Sequence, residues 1–128
     1  VGLGAAIKYI QEVGIENITN HDNALASYLI DGMKSIPYVN ILGSPDSNKH
    51  CGIVTFTIDG VHPHDIASIL DTEHVAIRAG HHCAQPLGAY IEVPATARAS
   101  LYFYNTKEEI DTFISKVSQI RGWMGYGN

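Results

Sequence analysis

The run Ile53-Val54-Thr55-Phe56-Thr57-Ile58 constrains the fold more than any other stretch. It is β-branched or aromatic throughout, and Asp59-Gly60 closes it, so it reads as a strand followed by a turn. Three shorter runs could pair with it: Tyr38 to Leu42, Val75 to Arg78 and Ala97 to Tyr104. Elsewhere the apolar spacing is helical. Leu3, Ala6, Ile7, Ile10 and Val13 predict a first helix with Gly14 as its C-cap. Polar residues from Thr19 to Asp22 predict the start of a second, with Leu25, Tyr28, Leu29 and Met33 on its apolar face and Pro37 beyond its end. Pro63 suits the first turn of a helix carrying Ile66, Ile69 and Leu70. Thr106 and Glu109 have capping-box spacing at the head of a last helix, whose stripe is Ile110, Phe113, Ile114 and Val117. Gly43 to Asn48 reads as a loop, and Ala79 to Tyr90 as a loop with room for one helical turn. This order predicts an α+β fold, a two-layer α/β sandwich with helices packed on a small mixed or antiparallel sheet.

Composition narrows the function classes. With 128 residues, 45% of them hydrophobic and 16% charged, the chain suits one globular domain over 1–128. Eight Lys and Arg against thirteen Asp and Glu give a net charge of −5, and no basic patch stands out, which argues against nucleic acid as a partner. No apolar run reaches the roughly 18 residues that cross a bilayer, and no charged-then-apolar signal segment is evident, so no membrane partner is expected and a cytoplasmic location is the default. The opening Val1-Gly2-Leu3-Gly4-Ala5-Ala6 lacks an initiator Met and runs straight into a helical pattern, which reads as a piece of a larger protein.

Chemistry concentrates between Arg78 and Leu87. Arg78, His81, His82 and Cys83 fall within six positions on a connection between two strands. A thiolate is the nucleophilic form of cysteine, and nearby cations favour it. Histidines beside it could move a proton near neutral pH. The same residues also fit an inert cysteine with loop-capping histidines, and local chemistry leaves both readings open. Cys51, at the head of the strongest strand, reads as packing, and nothing calls for a disulfide with Cys83. His50, Cys51, His62, His64, His74, His81, His82 and Cys83 are conceivable metal ligands, but they are scattered and lack zinc-site spacing, so no metal is expected. Arg98 opens an otherwise apolar strand, where it either reaches solvent or presents its planar fork to a carboxylate or phosphate.

Arg78-Ala79-Gly80-His81-His82-Cys83-Ala84-Gln85-Pro86-Leu87 closely resembles the catalytic-cysteine motif of the cysteine desulfurase and selenocysteine lyase family, and most closely its SUF-type branch, which serves iron–sulfur cluster assembly. That family belongs to the class V aminotransferases, fold type I enzymes that use pyridoxal phosphate. Val93 to Asp111, with Ala95-Thr96-Ala97-Arg98-Ala99-Ser100 at its centre, resembles the family's substrate-arginine strand and final helix, and Gly2-Leu3-Gly4-Ala5-Ala6 resembles the helix leading out of its large domain. The resemblance implies that Cys83 attacks the sulfur of L-cysteine, leaving L-alanine and a Cys83 persulfide, and that Arg98 grips the substrate carboxylate. It gives Arg78, His81 and His82 a part in shaping the loop and assisting proton traffic. It further implies a sulfur-acceptor protein, a homodimer in the intact enzyme, and either cysteine or selenocysteine as substrate.

The family holds pyridoxal phosphate through a lysine in a preceding large domain. None of Lys8, Lys34, Lys49, Lys107 and Lys116 sits in a matching context, so no cofactor-binding residue is expected in this chain. The resemblance is to a C-terminal small domain alone, with 1–20 as the remnant of the linking helix and 121–128 as a loose tail, inactive by itself. A stand-alone sulfur carrier and a non-catalytic interaction domain are the alternatives.

Overall fold

The computed structural model describes residues 1–44 and 46–126, apart from the side chain of Asn48. Helices α1 (Gly2–Val13) and α2 (Ile15–Lys34) lead into strands β1 (Val39–Leu42) and β2 (Ile53–Ile58), with a 3-10 turn at Ser47–Lys49 between the strands. Helix α3 (Pro63–Thr72), strand β3 (Arg78–Gly80), short helix α4 (Gln85–Tyr90) and strand β4 (Thr96–Ser100) follow. Helices α5 (Lys107–Val117) and α6 (Ile120–Trp123) complete the described chain. The sheet is antiparallel throughout, in the order β1-β2-β4-β3. This is the α+β sandwich that the sequence predicts.

Register splits the sheet into two unlike faces. Phe56 pairs with Ala97 and Val54 with Ala99, and all four side chains face the helices. They meet Leu25, Leu29, Ile30 and Met33 of α2, Ile66 and Leu70 of α3, and Ile110, Phe113 and Val117 of α5. Each large aliphatic or aromatic side chain buried there contributes about 1.5–3 kcal/mol. Phe56 and Phe113 meet edge to face with centroids 6.0 Å apart. Helices α2 and α5 approach closely at Gly32, where a Cβ would collide with Ile114 Cδ1. The capping box heads α5 as expected, with Thr106 Oγ1 accepting from the Glu109 amide and the Glu109 carboxylate accepting from the Thr106 amide.

Several boundaries differ from the sequence reading. Helix α2 begins at Ile15, not near residues 19–22: Asn17 donates its side-chain amide to the carbonyl of Val13 at the end of α1, and Thr19 donates its hydroxyl to that of Ile15, so neither caps a helix start. The break lies at Gly14, the predicted C-cap, whose φ of 90° permits the corner. Tyr28, placed on the apolar face, is instead exposed and donates to Asp111 Oδ1 at 2.7 Å. Val75–Ile77 stay outside the sheet and β3 is shifted to Arg78–Gly80. Strand β4 stops at Ser100, since Tyr102 to Asn105 form a turn just beyond it, closed by the Asn105 amide donating to the Tyr102 carbonyl. The first residues of the expected tail, 121–123, belong instead to a helical turn that starts at the buried Ile120, and 127–128 lie outside the described residues. Cys51 is exposed rather than packed.

Helix α1 is the exception to the closed layer. Its apolar stripe exists, yet none of its residues is buried, and Leu3, Ile7 and Tyr9 are exposed. Tyr9 meets the ring of Phe103 at 6.2 Å.

Candidate active site

The sheet face turned away from the helices carries Thr55, Thr96 and Arg98, because residues two apart in a strand point the same way. Arg78 lies directly opposite Arg98 in the β3–β4 ladder, so two guanidinium-bearing residues are cross-strand neighbours. Like charges in that position repel. Among the described residues, neither arginine has a carboxylate partner. The Nε of Arg98 is buried with no hydrogen-bond partner. An anion between or beside these groups would relieve both conditions.

A cleft of about 400 Å³ lies over this face. Thr55, Thr96 and Arg98 contribute from the sheet, His81 and His82 from the connection after β3, and Leu87, Ile91 and Val93 from α4 and the loop beyond it. The wall is held by short-range bonds, from the Gly88 amide to the Ala84 carbonyl and from the Val93 amide to the Gly88 carbonyl. Gly88 is required here, since a Cβ would lie 2.9 Å from the Val93 carbonyl oxygen.

The connection leaves β3 through Gly80 at φ 126° and forms a tight turn, closed by the Ala84 amide donating to the His81 carbonyl at 2.9 Å. Its two central residues, His82 and Cys83, have φ of 52° and 59°. Non-glycine residues there cost roughly 1–3 kcal/mol each, and such strain gathers at functional sites. The result is a cysteine held at a turn tip with its thiol exposed. Cys83 stands beside the cleft-lining His82 but is not itself part of the wall.

His82 is half-buried, and its Nε2 lies 2.9 Å from Thr96 Oγ1. Its other ring nitrogen, Nδ1, is buried without a partner. Burial lowers its pKa below the ordinary imidazole range, the charge of Arg98 adds to this, contact with Thr96 opposes it, and Arg78 and His81 contribute further lowering. The ring is therefore held neutral near pH 7, able to accept a proton.

The structure thus brings Arg98, His81 and His82 to one cleft, Arg78 beside Arg98, and Cys83 to the adjoining turn. The scattered metal-ligand candidates do not converge: among the described residues no three His, Cys, Asp or Glu form a possible metal site. Both cysteines are free. Thr96 escaped the sequence reading because a lone threonine carries no chemical signal. Its place two residues before Arg98 in a strand was the available clue.

The aminotransferase class-V family profile matches residues 1–113. The chain belongs to that family. A protein of Halalkalibacterium halodurans named "Probable cysteine desulfurase" is 44% identical over 126 residues, 98% of this chain and 30% of the relative. Among solved structures, the apo cysteine desulfurase of Thermococcus onnurineus superposes with a TM-score of 0.90 at 36% identity, covering 94% of this chain and 30% of the other. The cysteine desulfurase CsdA of Escherichia coli, in an S-sulfonic acid form, gives a TM-score of 0.86 at 31% identity over 95% of this chain and 30% of its own. The chain thus spans about 30% of the length of these cysteine desulfurases.

Pyridoxal phosphate is the cofactor that the motif resemblance brings with it, and the cleft does not suit it unaided. Among the described residues that line the cleft there is no lysine, no carboxylate and no Phe, Tyr or Trp; the rings it offers are the imidazoles of His81 and His82. Lys116 is paired with Glu73, and Lys107 sits over the ring of Tyr28. Lys8 lies on α1, Lys34 ends α2, and Lys49 is in the 3-10 turn. The described residues offer a cationic anchor and a thiol, but no anchor for the cofactor.

Proposed function

We propose that this chain is the C-terminal small domain of a pyridoxal-phosphate-dependent cysteine desulfurase and that Cys83 is its sulfur-accepting nucleophile. The observation that carries this reading is the exposed Cys83 on a strained turn beside a cleft in which Arg98 has no anionic partner. In this reading Arg98 binds the L-cysteine carboxylate, ideally through a bidentate pair, and fixes the substrate sulfur toward the turn. Cys83 attacks that sulfur as a thiolate; the new S–S bond forms as the substrate carbon–sulfur bond breaks, and the carbon keeps the electron pair and takes a proton. The products are L-alanine and a persulfide on Cys83. His82, held neutral, is suited to receive or return a proton during these steps, with His81 and Arg78 shaping the loop and its field.

When bound in the whole protein, pyridoxal phosphate supplies the electron sink for carbon–sulfur cleavage. Residues outside this chain would hold it, and the uncovered stripe of α1 suits a helix that joins a preceding large domain. On this reading 1–128 is one domain of a homodimeric enzyme. Its persulfide passes to an acceptor protein of SUF-type iron–sulfur assembly in the cytoplasm. No described helix is long and apolar enough to cross a membrane. Cysteine is the substrate we favour, with selenocysteine as the competitor to assay.

Two experiments test the proposal. In the longer protein, Cys83→Ser should abolish persulfide formation from L-cysteine. The chain by itself should show neither alanine release nor the visible absorbance of the cofactor. Alanine release by the isolated chain would overturn the division of the active site between two domains.

A further inference from the structure

We infer that Thr96 is a positioning residue for Cys83: its hydroxyl, acting through His82, holds the His81–Ala84 turn in the left-handed form that presents the thiol beside the cleft. Two consecutive non-glycine residues at positive φ do not persist unless their surroundings over-determine them. The turn closes with one backbone bond, Ala84 to His81 at 2.9 Å. Among the described residues, the contact between His82 Nε2 and Thr96 Oγ1 at 2.9 Å is the one side-chain hydrogen bond the turn makes.

Thr96 is built to act as a fixed post. It is buried at 8% exposure, it opens β4, and it pairs in register with Gly80, the residue from which the turn departs. Its β-branched side chain has little rotameric freedom. Arg98 lies two residues along the same strand face, so one rigid strand sets both the carboxylate anchor and the turn that carries the thiol. The neighbour of the nucleophile is thereby clamped while Cys83 itself is left free of side-chain bonds.

This inference deepens the proposed role of Cys83, but its test reads thiol chemistry directly and does not depend on sulfur transfer. In the 128-residue chain, Thr96→Val removes the hydroxyl at nearly constant volume, and Thr96→Ser retains it. Iodoacetamide alkylation of Cys83 is followed by peptide mass spectrometry, with exposed Cys51 in the same molecules as the reference. The intraresidue HN–Hα NOE of Cys83 reports its positive φ. Thr96→Val should lower the Cys83-to-Cys51 rate ratio about fivefold, the scale of one lost hydrogen bond, and weaken that NOE. Thr96→Ser should match wild type. An unchanged ratio and NOE in Thr96→Val, or a serine variant that behaves like the valine one, would overturn the inference. Should Thr96→Val fail to fold, His82→Ala removes the other partner and leaves β4 intact; the same fall in the ratio is expected, and an unchanged ratio sinks the idea.

Discussion

The two faces of the central strands β2 and β4 are built from alternate residues of the same short sequences. On one face Val54, Phe56, Ala97 and Ala99 lie under three helices and are almost fully buried. On the other, Thr55, Thr96 and Arg98 line a cleft roofed only in part by α4 and its flanking loops. The first face is apolar and close-packed. The second holds a guanidinium without a carboxylate, an imidazole with one unsatisfied nitrogen, and a nearby strained thiol-bearing turn. Stability and chemistry are thus divided by a period of two residues, and changes on the two faces should have separable consequences.

The largest expected effect is on the closed face. Phe56→Ala should cost about 3–5 kcal/mol in urea unfolding, whereas Thr55→Ala, one residue away, should stay within about 0.5 kcal/mol. Equal losses would break the division. On the open face the reverse pattern is expected. Arg98→Lys keeps the charge but loses the planar fork, and in the longer protein should lower kcat/KM for cysteine about 10- to 100-fold while leaving the unfolding midpoint nearly unmoved. Back in the closed layer, Thr106→Ala removes the cap of α5 and should cost about 1 kcal/mol without altering the Cys83 alkylation rate.

The smallest effect is a pH dependence from His82. Its folded-state pKa is lowered, chiefly by burial and next by the charge of Arg98, so the unfolded chain takes up the proton first. Above the ordinary imidazole value of 6.5 the group contributes nothing to the pH dependence. As pH falls below that value, stability is lost until the lowered folded-state value is passed. The other histidines are common to both proteins, so the difference between wild type and His82→Asn isolates this group. That difference should be flat above pH 6.5 and should change in favour of the variant below it. A flat difference throughout would mean that His82 is as easily protonated folded as unfolded.

Much of this arrangement is legible in the sequence where local rules decide. Strand β2 keeps the predicted ends at Ile53 and Ile58 because its propensity is strong and Asp59-Gly60 closes it. The Thr106–Glu109 box fixes the head of α5 for the same reason. The misplaced boundaries depend on distant partners. Val75–Ile77 have strand composition, but the β3–β4 ladder ends at the Arg78–Arg98 pair although β4 itself runs on to Ser100. The motif residues Cys83 and Arg98 could be singled out by type and resemblance. The left-handed turn, the Thr96 contact and the cross-strand pairing of Arg78 with Arg98 could not, since sequence carries neither the sign of φ nor register. The unburied stripe of α1 was equally hidden: helical periodicity marks an apolar face without saying what covers it.

The most direct test of the proposed role of Cys83 is peptide mass spectrometry of the longer protein after brief exposure to L-cysteine, with Cys83→Ser in parallel. The account expects the mass of one added sulfur atom on the peptide containing Cys83, removed by a thiol reductant and absent in the variant. A persulfide on Cys51 instead, or undiminished sulfur release by Cys83→Ser, would contradict it.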